Sequence, residues 1–541
     1  MISSLKSLIK SLSHTERLIM IGASAIFVVA AIVYSLVLTD RLTKVVPAYG
    51  GTYREGLVGQ PVYINPVIAA NDTDKDIVAL TFSSLSDMAD KVSVSKDHLT
   101  WTIRLKDNLF WHDGQKVTTD DAIFTIKSIH DPKTNSPLYP TWQGVDPKRV
   151  SEFEMTLSTS VPYAFFADSL KDLYVIPKHI FVNVPTANWR TLSAFNLQPV
   201  GSGSYKFESI KKEKSGFISE YSLTRNERYF KDRPFIDRVV LVFFPGEDEA
   251  IGAFNAAKID AISGANPMDL GKIKRPDRIS NLHLPRYYAV FFNQGSNDML
   301  KNKNVRLALN YATPKDKIID KVFGGYATRA DGPLPFGRIQ TEDLAAMGTY
   351  NPDQANKILD DAGLKKGDDG FRGEIKLVVP QLKFLTDTAD IIKESWDAVG
   401  IRTTIIALDP ATVNDDAVKT RNYDAILFGN YFTENPDPLS FWHSSERFYP
   451  GHNLSLYNSK TADKLMESIS KNFDDDSRNK DLTSLQSLIV QDVPTIFLYS
   501  RDYVYVSDNN INMVNSWLIS SPSNRFESIE KWYIKTKRTF R

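Results

Sequence analysis

The stretch from Gly429 to Trp442, "GNYFTENPDPLSFW", combines acidic and aromatic side chains at a density that a surface turn does not require. Asn, Pro and Asp at positions 435–438 are sufficient to preset a turn and to satisfy its backbone polar groups. Glu434 and the aromatic rings around it are not explained by the turn. The segment is therefore a candidate for a binding role.

Other patterns in the sequence resemble catalytic or metal-binding motifs, but the spacing of their residues does not match those motifs. Three alternating aspartates begin at Asp72 as in a calcium loop, but Ile77 and Ser83 stand where that loop needs Gly and Glu. We interpret them as the first turn of a helix. The Gly-Ser-Gly-Ser run at 201–204 lacks the last glycine of a nucleophile elbow, and the segment 264–272 lacks the spacing of a phosphate loop. No two of the eight histidines have the spacing of a helical metal pair.

The composition is that of a globular protein with more than one core. The chain has 541 residues, 42% of them hydrophobic, and equal numbers of basic and acidic residues, 65 of each. A balanced charge without long runs argues against nucleic acid as a partner. The absence of cysteine excludes disulfides, thiolate metal sites and a cysteine nucleophile. We therefore expect no enzyme activity, no cofactor and no metal.

The N-terminal region contains 21 uncharged residues, Leu18 to Leu38. As a helix this segment is about 31 Å long, which is the thickness of a hydrocarbon core. Lys6, Lys10 and Arg17 precede it, so the positive-inside rule predicts a cytoplasmic N-terminus and an external bulk. The alternatives are a cleaved signal peptide, whose apolar region is usually shorter, and a buried core helix.

The rest of the chain reads as mixed strands and helices. In "LTWTIRL", residues 99–105, apolar and polar side chains alternate as in a half-buried strand, and a helix begins after Thr118. The region from Asn351 to Asn430 reads as helix, strand, helix, strand, helical segment, strand, which is typical of a parallel sheet with ligands at its carboxyl edge. The segment 250–265 repeats the helix-then-strand pattern more weakly, which indicates a second α/β lobe.

Seven segments resemble, in order, the solute-binding proteins of ABC importers in the dipeptide-, oligopeptide- and nickel-binding family (family 5). They include "LTWTIRLKDNLFWHDGQKVTTDDAIFTIKSIHDP", "PVGSGSYKFE", "LTRNERYFKDRPFIDRVVLVFFP", "NKNVRLALNYATPKDKIIDKVFGGYATRADGPLP", "YNPDQANKILDDAG", "WDAVGIRTTII" and "NYDAILFGNYFTENPDPLSFW". The resemblance spans the chain from Tyr49 to about Val506.

The resemblance implies an α/β, type II periplasmic-binding-protein fold, with two lobes, a hinge and an inserted extra domain. The apolar N-terminal segment adds one preceding transmembrane helix, which departs from relatives that use a lipid on cysteine. The implied ranges are 1–17 for a cytoplasmic N-terminus, 18–38 for the anchor, 39–45 for a linker, 46–81 with 200–286 and 494–541 for lobe I, 82–199 for inserted domain II, and 287–493 for lobe II.

The implied function is that of a membrane-anchored, extracytoplasmic, single-pass receptor of an ABC importer in the cell membrane. It would act as a monomer, capture peptides by hinge closure and deliver them to a permease driven by ATPase subunits. The open alternatives are an oligosaccharide or metal-chelate receptor of the same fold, and a non-transport sensor or chaperone.

In peptide-binding relatives an aspartate in the segment that matches 429–442 holds the peptide's α-ammonium, and Glu434 stands at that position here. Glutamate keeps the charge but adds one methylene. The strand 431–433 and the loop 65–70 would pair with the peptide backbone. The expected ligand contacts are Glu434, Tyr431, Phe432, Thr433, Trp442, Asn65 and Tyr499.

Overall fold

The computed structural model describes residues 13–191, 196–335, 348–432, 437–513 and 518–540. Two of the expected ligand contacts, Thr433 and Glu434, lie outside these ranges.

The described strands are, in chain order, β1 Thr43–Ala48, β2 Thr52–Val58, β3 Ala89–Val94, β4 Thr100–Leu105, β5 Asp146–Arg149, β6 Glu154–Ser158, β7 Tyr205–Lys212, β8 Ile218–Arg225, β9 Arg238–Phe244, β10 Ala261–Ser263, β11 Asp277–Leu282, β12 Arg286–Phe292, β13 Ala327–Arg329, β14 Gly373–Pro380, β15 Ile401–Leu408, β16 Ala425–Tyr431, β17 Thr495–Arg501, β18 Tyr503–Asp508 and β19 Lys535–Phe540.

The described α-helices are α1 His14–Leu42, α2 Asp72–Thr81, α3 Leu85–Met88, α4 Thr119–His130, α5 Tyr139–Trp142, α6 Phe166–Asp172, α7 Lys178–Phe181, α8 Glu247–Asn255, α9 Lys303–Tyr311, α10 Lys315–Phe323, α11 Pro352–Asp361, α12 Lys383–Ala398, α13 Leu439–Trp442, α14 Lys460–Lys471 and α15 Asp475–Asp492.

The N-terminal helix α1 is long and apolar enough to cross a membrane, and none of its residues is buried against the rest of the protein. It begins with a capping box in which Glu16 accepts a hydrogen bond from the backbone N–H of Ser13 at 2.8 Å. The segment 39–45, expected to be a linker, instead forms the end of α1 and the start of β1. Strand β1 pairs with β19, from Thr43 opposite Phe540 to Ala48 opposite Lys535.

The sheet of lobe I has the strand order β11-β18-β10-β2-β9-β8-β7. Strand β2 runs parallel to both β9 and β10, whereas the outer neighbours are antiparallel. The sheet draws its strands from three separate stretches of chain, as a discontinuous lobe requires. The domain boundaries given above stay a prediction.

A small antiparallel sheet, β3-β4-β6-β5, carries the strand predicted at 99–105. Strand β4 buries Trp101, Ile103 and Leu105 and exposes Arg104, so the predicted alternation is confirmed. The predicted helix after Thr118 is α4.

The sheet of lobe II has the strand order β13-β17-β12-β16-β14-β15. Strands β14, β15 and β16 are parallel, with α11 before β14 and α12 between β14 and β15. The predicted βαβαβ order is confirmed, and the helical segment before β16 is a π-helical turn at Asn414–Val418.

Two short connections join the large sheets, one from β11 to β12 and one from β17 to β18. They are cross-linked to each other: His283 Nδ1 lies 2.9 Å from Asp502 Oδ1, and the Ser500 hydroxyl donates to the Leu284 carbonyl at 3.3 Å. The chain therefore crosses between the lobes through a narrow, paired hinge.

Candidate functional site

The parallel strands of lobe I end at a cavity of about 320 Å³. Leu57 and Val58 at the end of β2, Ser263 at the end of β10, and Glu247 at the start of α8 line one side of it. The carboxyl edge of parallel strands is where α/β sheets bind ligands. The cavity also reaches the hinge, where Arg286 and Arg501 line it.

Lobe II presents an aromatic face beside these arginines. The Tyr288 ring lies edge-on to Phe384 and Tyr431, with centroid distances of 5.2 and 6.2 Å, and the hydroxyls of Tyr288 and Tyr431 are 2.6 Å apart. The Arg286 guanidinium lies 5.6 Å from the Tyr431 ring centroid, and that of Arg501 lies 5.3 Å from the Phe384 centroid. Cations stacked on aromatic faces in this way are held in place without an ion pair.

Strand β16 has a free edge at its carboxyl end. It pairs with β12 along its length, up to Tyr431 opposite Arg286. Its pairing with β14 is limited to Ala425 and Ile426, so no described strand covers the other edge beyond that point. Unpaired backbone groups on such an edge can add an extended peptide as a further strand.

Of the five expected ligand contacts that lie within the described residues, Tyr431 is the exposed one, with 56% of its surface accessible. Phe432 is 8% exposed and packs against Tyr287 and Phe441, at centroid distances of 5.9 and 4.8 Å. Tyr431 therefore lies next to the site through its contact with Arg286, whereas Phe432 is part of the packing of lobe II.

Three further expected contacts lie in the protein interior in this conformation. Trp442 is fully buried between Phe291 and Phe497. Tyr499 is fully buried beneath Tyr288, and its hydroxyl is 3.0 Å from that of Thr388.

Asn65 is also buried and accepts a hydrogen bond from the Val67 N–H at 3.0 Å. Its amide nitrogen has no hydrogen-bond partner among the described residues. These three residues therefore do not line the cavity, and Thr433 and Glu434 lie outside the described residues.

The sequence reading missed Arg286 and Arg501. Each ends or begins an otherwise apolar strand, in "RYYAVFF" and "TIFLYSR". A single arginine at the end of an otherwise apolar strand was the feature of the sequence that could have indicated these two residues.

His112 and Gly201, which do not fit a catalytic or metal-binding motif in the sequence, have structural roles. His112 is held between two glycines: Nδ1 accepts from the Gly201 N–H at 3.2 Å, and Nε2 is 3.1 Å from the Gly203 carbonyl. Burial lowers its pKa to about 4, so it is neutral. A Cβ on Gly201 would lie 1.8 Å from the Thr81 carbonyl oxygen, which explains the glycine. No group of three or more metal-ligating side chains occurs among the described residues.

A second cavity, of about 380 Å³, lies between α3, α6 and the segment 518–530. Its charged lining consists of Asp87, Lys171, Asp172, Glu527 and Glu530, and none of the described expected ligand contacts lines either cavity. We place the candidate site at the first cavity because the carboxyl ends of the parallel strands β2 and β10 line it.

Residues 85–448 match the family model of bacterial extracellular solute-binding proteins, family 5 Middle. The oligopeptide-binding protein AppA of Bacillus subtilis is 26% identical over 529 residues, covering 90% of this chain and 92% of AppA. The dipeptide-binding protein of Escherichia coli is 22% identical, covering 83% of this chain and 88% of that protein.

Solved structures show the same fold. The ABC transporter substrate-binding protein CtaP of Listeria monocytogenes superimposes with a TM-score of 0.77 at 25% identity, covering 90% of this chain and all of CtaP. The B. subtilis AppA structure with a nonapeptide gives 0.68 at 24% identity, covering 91% of this chain and all of AppA. The architecture expected from the resemblance, a type II periplasmic-binding-protein fold, is thereby confirmed, and this chain belongs to family 5 of the bacterial extracellular solute-binding proteins.

Proposed function

We propose that this protein is the membrane-anchored, extracytoplasmic receptor of an ABC importer and that it captures peptides between its two lobes. The supporting observation is the match along nine-tenths of the chain to an oligopeptide-binding protein. The free edge of β16, next to the exposed Tyr431, offers backbone groups to an extended chain. Recognition through the backbone would allow many peptide sequences to bind.

The hinge provides the movement that capture requires. Rotation about the two connections would bring the β2 and β10 strand ends toward Tyr431 and exclude water from the solute. The closed form would then dock on a permease. Helix α1 would keep the receptor in the membrane that carries this permease.

Glu434 is proposed to pair with the solute's ammonium group. A carboxylate in a cleft forms a strong, charge-assisted hydrogen bond with an amine. A Glu434→Gln variant should bind free-amine peptides about tenfold more weakly, while its affinity for the N-acetylated forms stays unchanged. Calorimetry with matched peptide pairs measures the two affinities. Equal losses for both forms would remove this role from Glu434.

The function is tested with the full-length protein in lipid nanodiscs. The protein is incubated with a synthetic peptide library, washed, and the retained peptides are identified by mass spectrometry and measured by calorimetry. We expect retained peptides with micromolar or tighter affinity. Retention of an oligosaccharide or a metal chelate from parallel mixtures, with no peptide retained, would refute the peptide proposal.

A further inference from the structure

The ribbon of β1 and β19 continues from the proposed membrane helix without a linker. Helix α1 ends at Leu42 and β1 begins at Thr43, whose hydroxyl donates to the Thr39 carbonyl at 2.5 Å. Arg538 of β19 donates to Asp40 at 3.1 Å and to the Thr43 hydroxyl at 3.0 Å. Both strands of the ribbon are therefore fastened to the end of the helix.

The length of the helix places the ribbon at a membrane surface. The uncharged segment 18–38 is about 31 Å long, which matches the thickness of the hydrocarbon core. The last four helical residues, 39–42, add about 6 Å, so β1 begins in the layer of lipid headgroups. Each strand of the ribbon has six residues and is about 20 Å long. Side chains on the ribbon are therefore within reach of headgroups.

One face of the ribbon carries three lysines and no acidic residue. Side chains alternate between the two faces of a strand, and directly opposed residues of a pair share a face. The pairs on this face are Lys44 with Thr539, Val46 with Lys537, and Ala48 with Lys535. All three lysines are exposed. We call this surface the lysine face.

The charges of the lysine face have no counter-ion within the described residues. None of the three ammonium groups forms a salt bridge with a described carboxylate. On the opposite face the one cation, Arg538, is paired with Asp40. The other side chains of that face are apolar or carry a hydroxyl: Thr43, Val45, Pro47, Thr536 and Phe540. Unpaired positive charge therefore accumulates on the lysine face alone.

A surface of anionic lipid has the chemistry that complements this face. Lysines beside a membrane helix are attracted to negatively charged headgroups, and the attraction extends over a Debye length of about 8 Å. A lysine stem can also lie along the apolar part of the interface while its ammonium group reaches a phosphate. The attachment of the ribbon to α1 favours lipid over a soluble polyanion, because it keeps the lysines near headgroups permanently.

We propose that the lysine face binds anionic headgroups of the leaflet at the C-terminal end of α1. The inference rests on the membrane anchoring assigned to α1 under the proposed function, and it adds a lipid contact outside the peptide site. Only residues 49–51 separate β1 from β2 of the lobe I sheet, and the Gly50 N–H donates to the Phe235 carbonyl at 2.8 Å. The lipid contact therefore orients lobe I over the membrane.

The test uses the full-length protein in phosphatidylcholine nanodiscs with or without about 30% phosphatidylglycerol. Because the chain lacks cysteine, a single bimane fluorophore can be attached at Ala48→Cys on the lysine face or at Thr536→Cys on the opposite face. A lipid that carries a spin label on its headgroup quenches a fluorophore at the membrane surface. Phosphatidylglycerol should raise quenching at position 48 by about twofold, and by more than at position 536.

The triple variant Lys44→Gln, Lys535→Gln, Lys537→Gln removes the charges of the lysine face. Each lysine near an anionic surface strengthens binding by about fivefold, so the rise in quenching should disappear. A matched control removes the same charge from exposed positions of lobe II: Lys303→Gln, Lys365→Gln, Lys366→Gln. The control should keep the full rise, and both variants should melt within about 2 °C of the wild type.

Three results would overturn the inference. The first is a rise in quenching that persists in the lysine-face variant. The second is a rise that the control variant also loses, because the effect would then follow net charge. The third is a stronger rise at position 536, which would turn the face of Val45 and Phe540 toward the lipid.

Failure of the anchor is distinguishable from failure of the lipid contact. If the protein does not stay in nanodiscs, α1 is not an anchor, and sedimentation with phosphatidylglycerol vesicles tests the lysine face. Sedimentation that the lysine-face variant loses and the control keeps would support the contact without the anchor. No sedimentation, or binding of soluble polyphosphate alone, would refute it. Neither measurement uses a peptide, so failure of the peptide proposal leaves both readouts intact.

Discussion

At the scale of single residues, Arg525 joins three elements of lobe I that are far apart in sequence. It is fully buried, donates to Glu55 of β2 at 2.6 Å and to Asp76 of α2 at 2.7 Å, and belongs to a short helical turn at Pro522–Phe526. The hydroxyls of Tyr53 and Tyr505 also donate to Glu55, at 2.6 and 2.7 Å. Arg525 is therefore the cationic partner of the buried Asp76 carboxylate, and this aspartate does not need a calcium ion to explain it.

Replacing Arg525 by Met should lower the free energy of unfolding by about 3–5 kcal/mol, because two carboxylates would stay buried without their cation. Urea denaturation followed by tryptophan fluorescence measures the loss. The triple variant Arg525→Met, Glu55→Gln, Asp76→Asn should recover part of it, since it removes the buried charges as well. A loss below about 1 kcal/mol for Arg525→Met alone would contradict this account.

His112 should make the protein less stable in acid. Its pKa is about 4 when folded and 6.5 in its unperturbed state. Between these values the unfolded chain binds a proton that the folded chain does not, so stability falls as the pH drops from 6.5 to 4. The contribution is about 3 kcal/mol.

A His112→Gln variant keeps a donor and an acceptor but cannot titrate. The difference in unfolding free energy between wild type and variant should therefore shift by about 3 kcal/mol in favour of the variant from pH 7 to pH 4. Asp76, whose pKa burial raises to about 6, changes stability in the opposite direction but cancels in this difference. A difference that is independent of pH would show that His112 is not held neutral.

At the scale of elements, the ribbon of β1 and β19 connects helix α1 directly to the last described strand. Arg538 of β19 reaches back to the end of α1, with 3.1 Å to Asp40 and 3.0 Å to the Thr43 hydroxyl. The pairing joins residues about 490 positions apart, and no local pattern indicates it. This is why 39–45 reads as a linker in the sequence and forms helix and strand in the structure.

Removing residues 535–541 should free the ribbon and leave the binding site intact. An isolated two-stranded ribbon is marginal, so β1 without its partner should lose its strand. The amides of residues 43–48 should then exchange hydrogen as fast as an open chain, while peptide affinity changes less than about twofold. Hydrogen-exchange mass spectrometry measures this, with Lys537→Thr as a control that keeps the strand. Unchanged protection in the truncated chain would contradict the pairing.

At the scale of the whole molecule, the membrane topology is testable because the chain lacks cysteine. Single cysteines can be placed before the helix, as Ser7→Cys, and on the exposed surface of lobe I, as Asp232→Cys. In cells with an intact cytoplasmic membrane, an impermeant maleimide should label Asp232→Cys and should label Ser7→Cys only after lysis. Labelling of both in intact cells would contradict a cytoplasmic N-terminus, and a purified chain that lacks α1 would show a cleaved signal peptide.

The sequence by itself determined the elements and the family. The alternation in β4, the helix after Thr118 and the βαβαβ order before Tyr431 are local patterns of side chains, and local patterns depend on neighbours along the chain. The apolar run of α1 is of the same kind. The family motifs are also local patterns, and their order along the chain indicated the fold class.

The tertiary structure alone decided which of these residues share a site. Trp442 and Tyr499 have the aromatic character of a pocket wall, yet packing from other strands buries them completely. Arg286 and Arg501 are 215 positions apart, and only the pairing of β12 with β17 brings them to one cavity. Burial and the sharing of a cavity are properties of three-dimensional neighbours, which a single sequence does not contain.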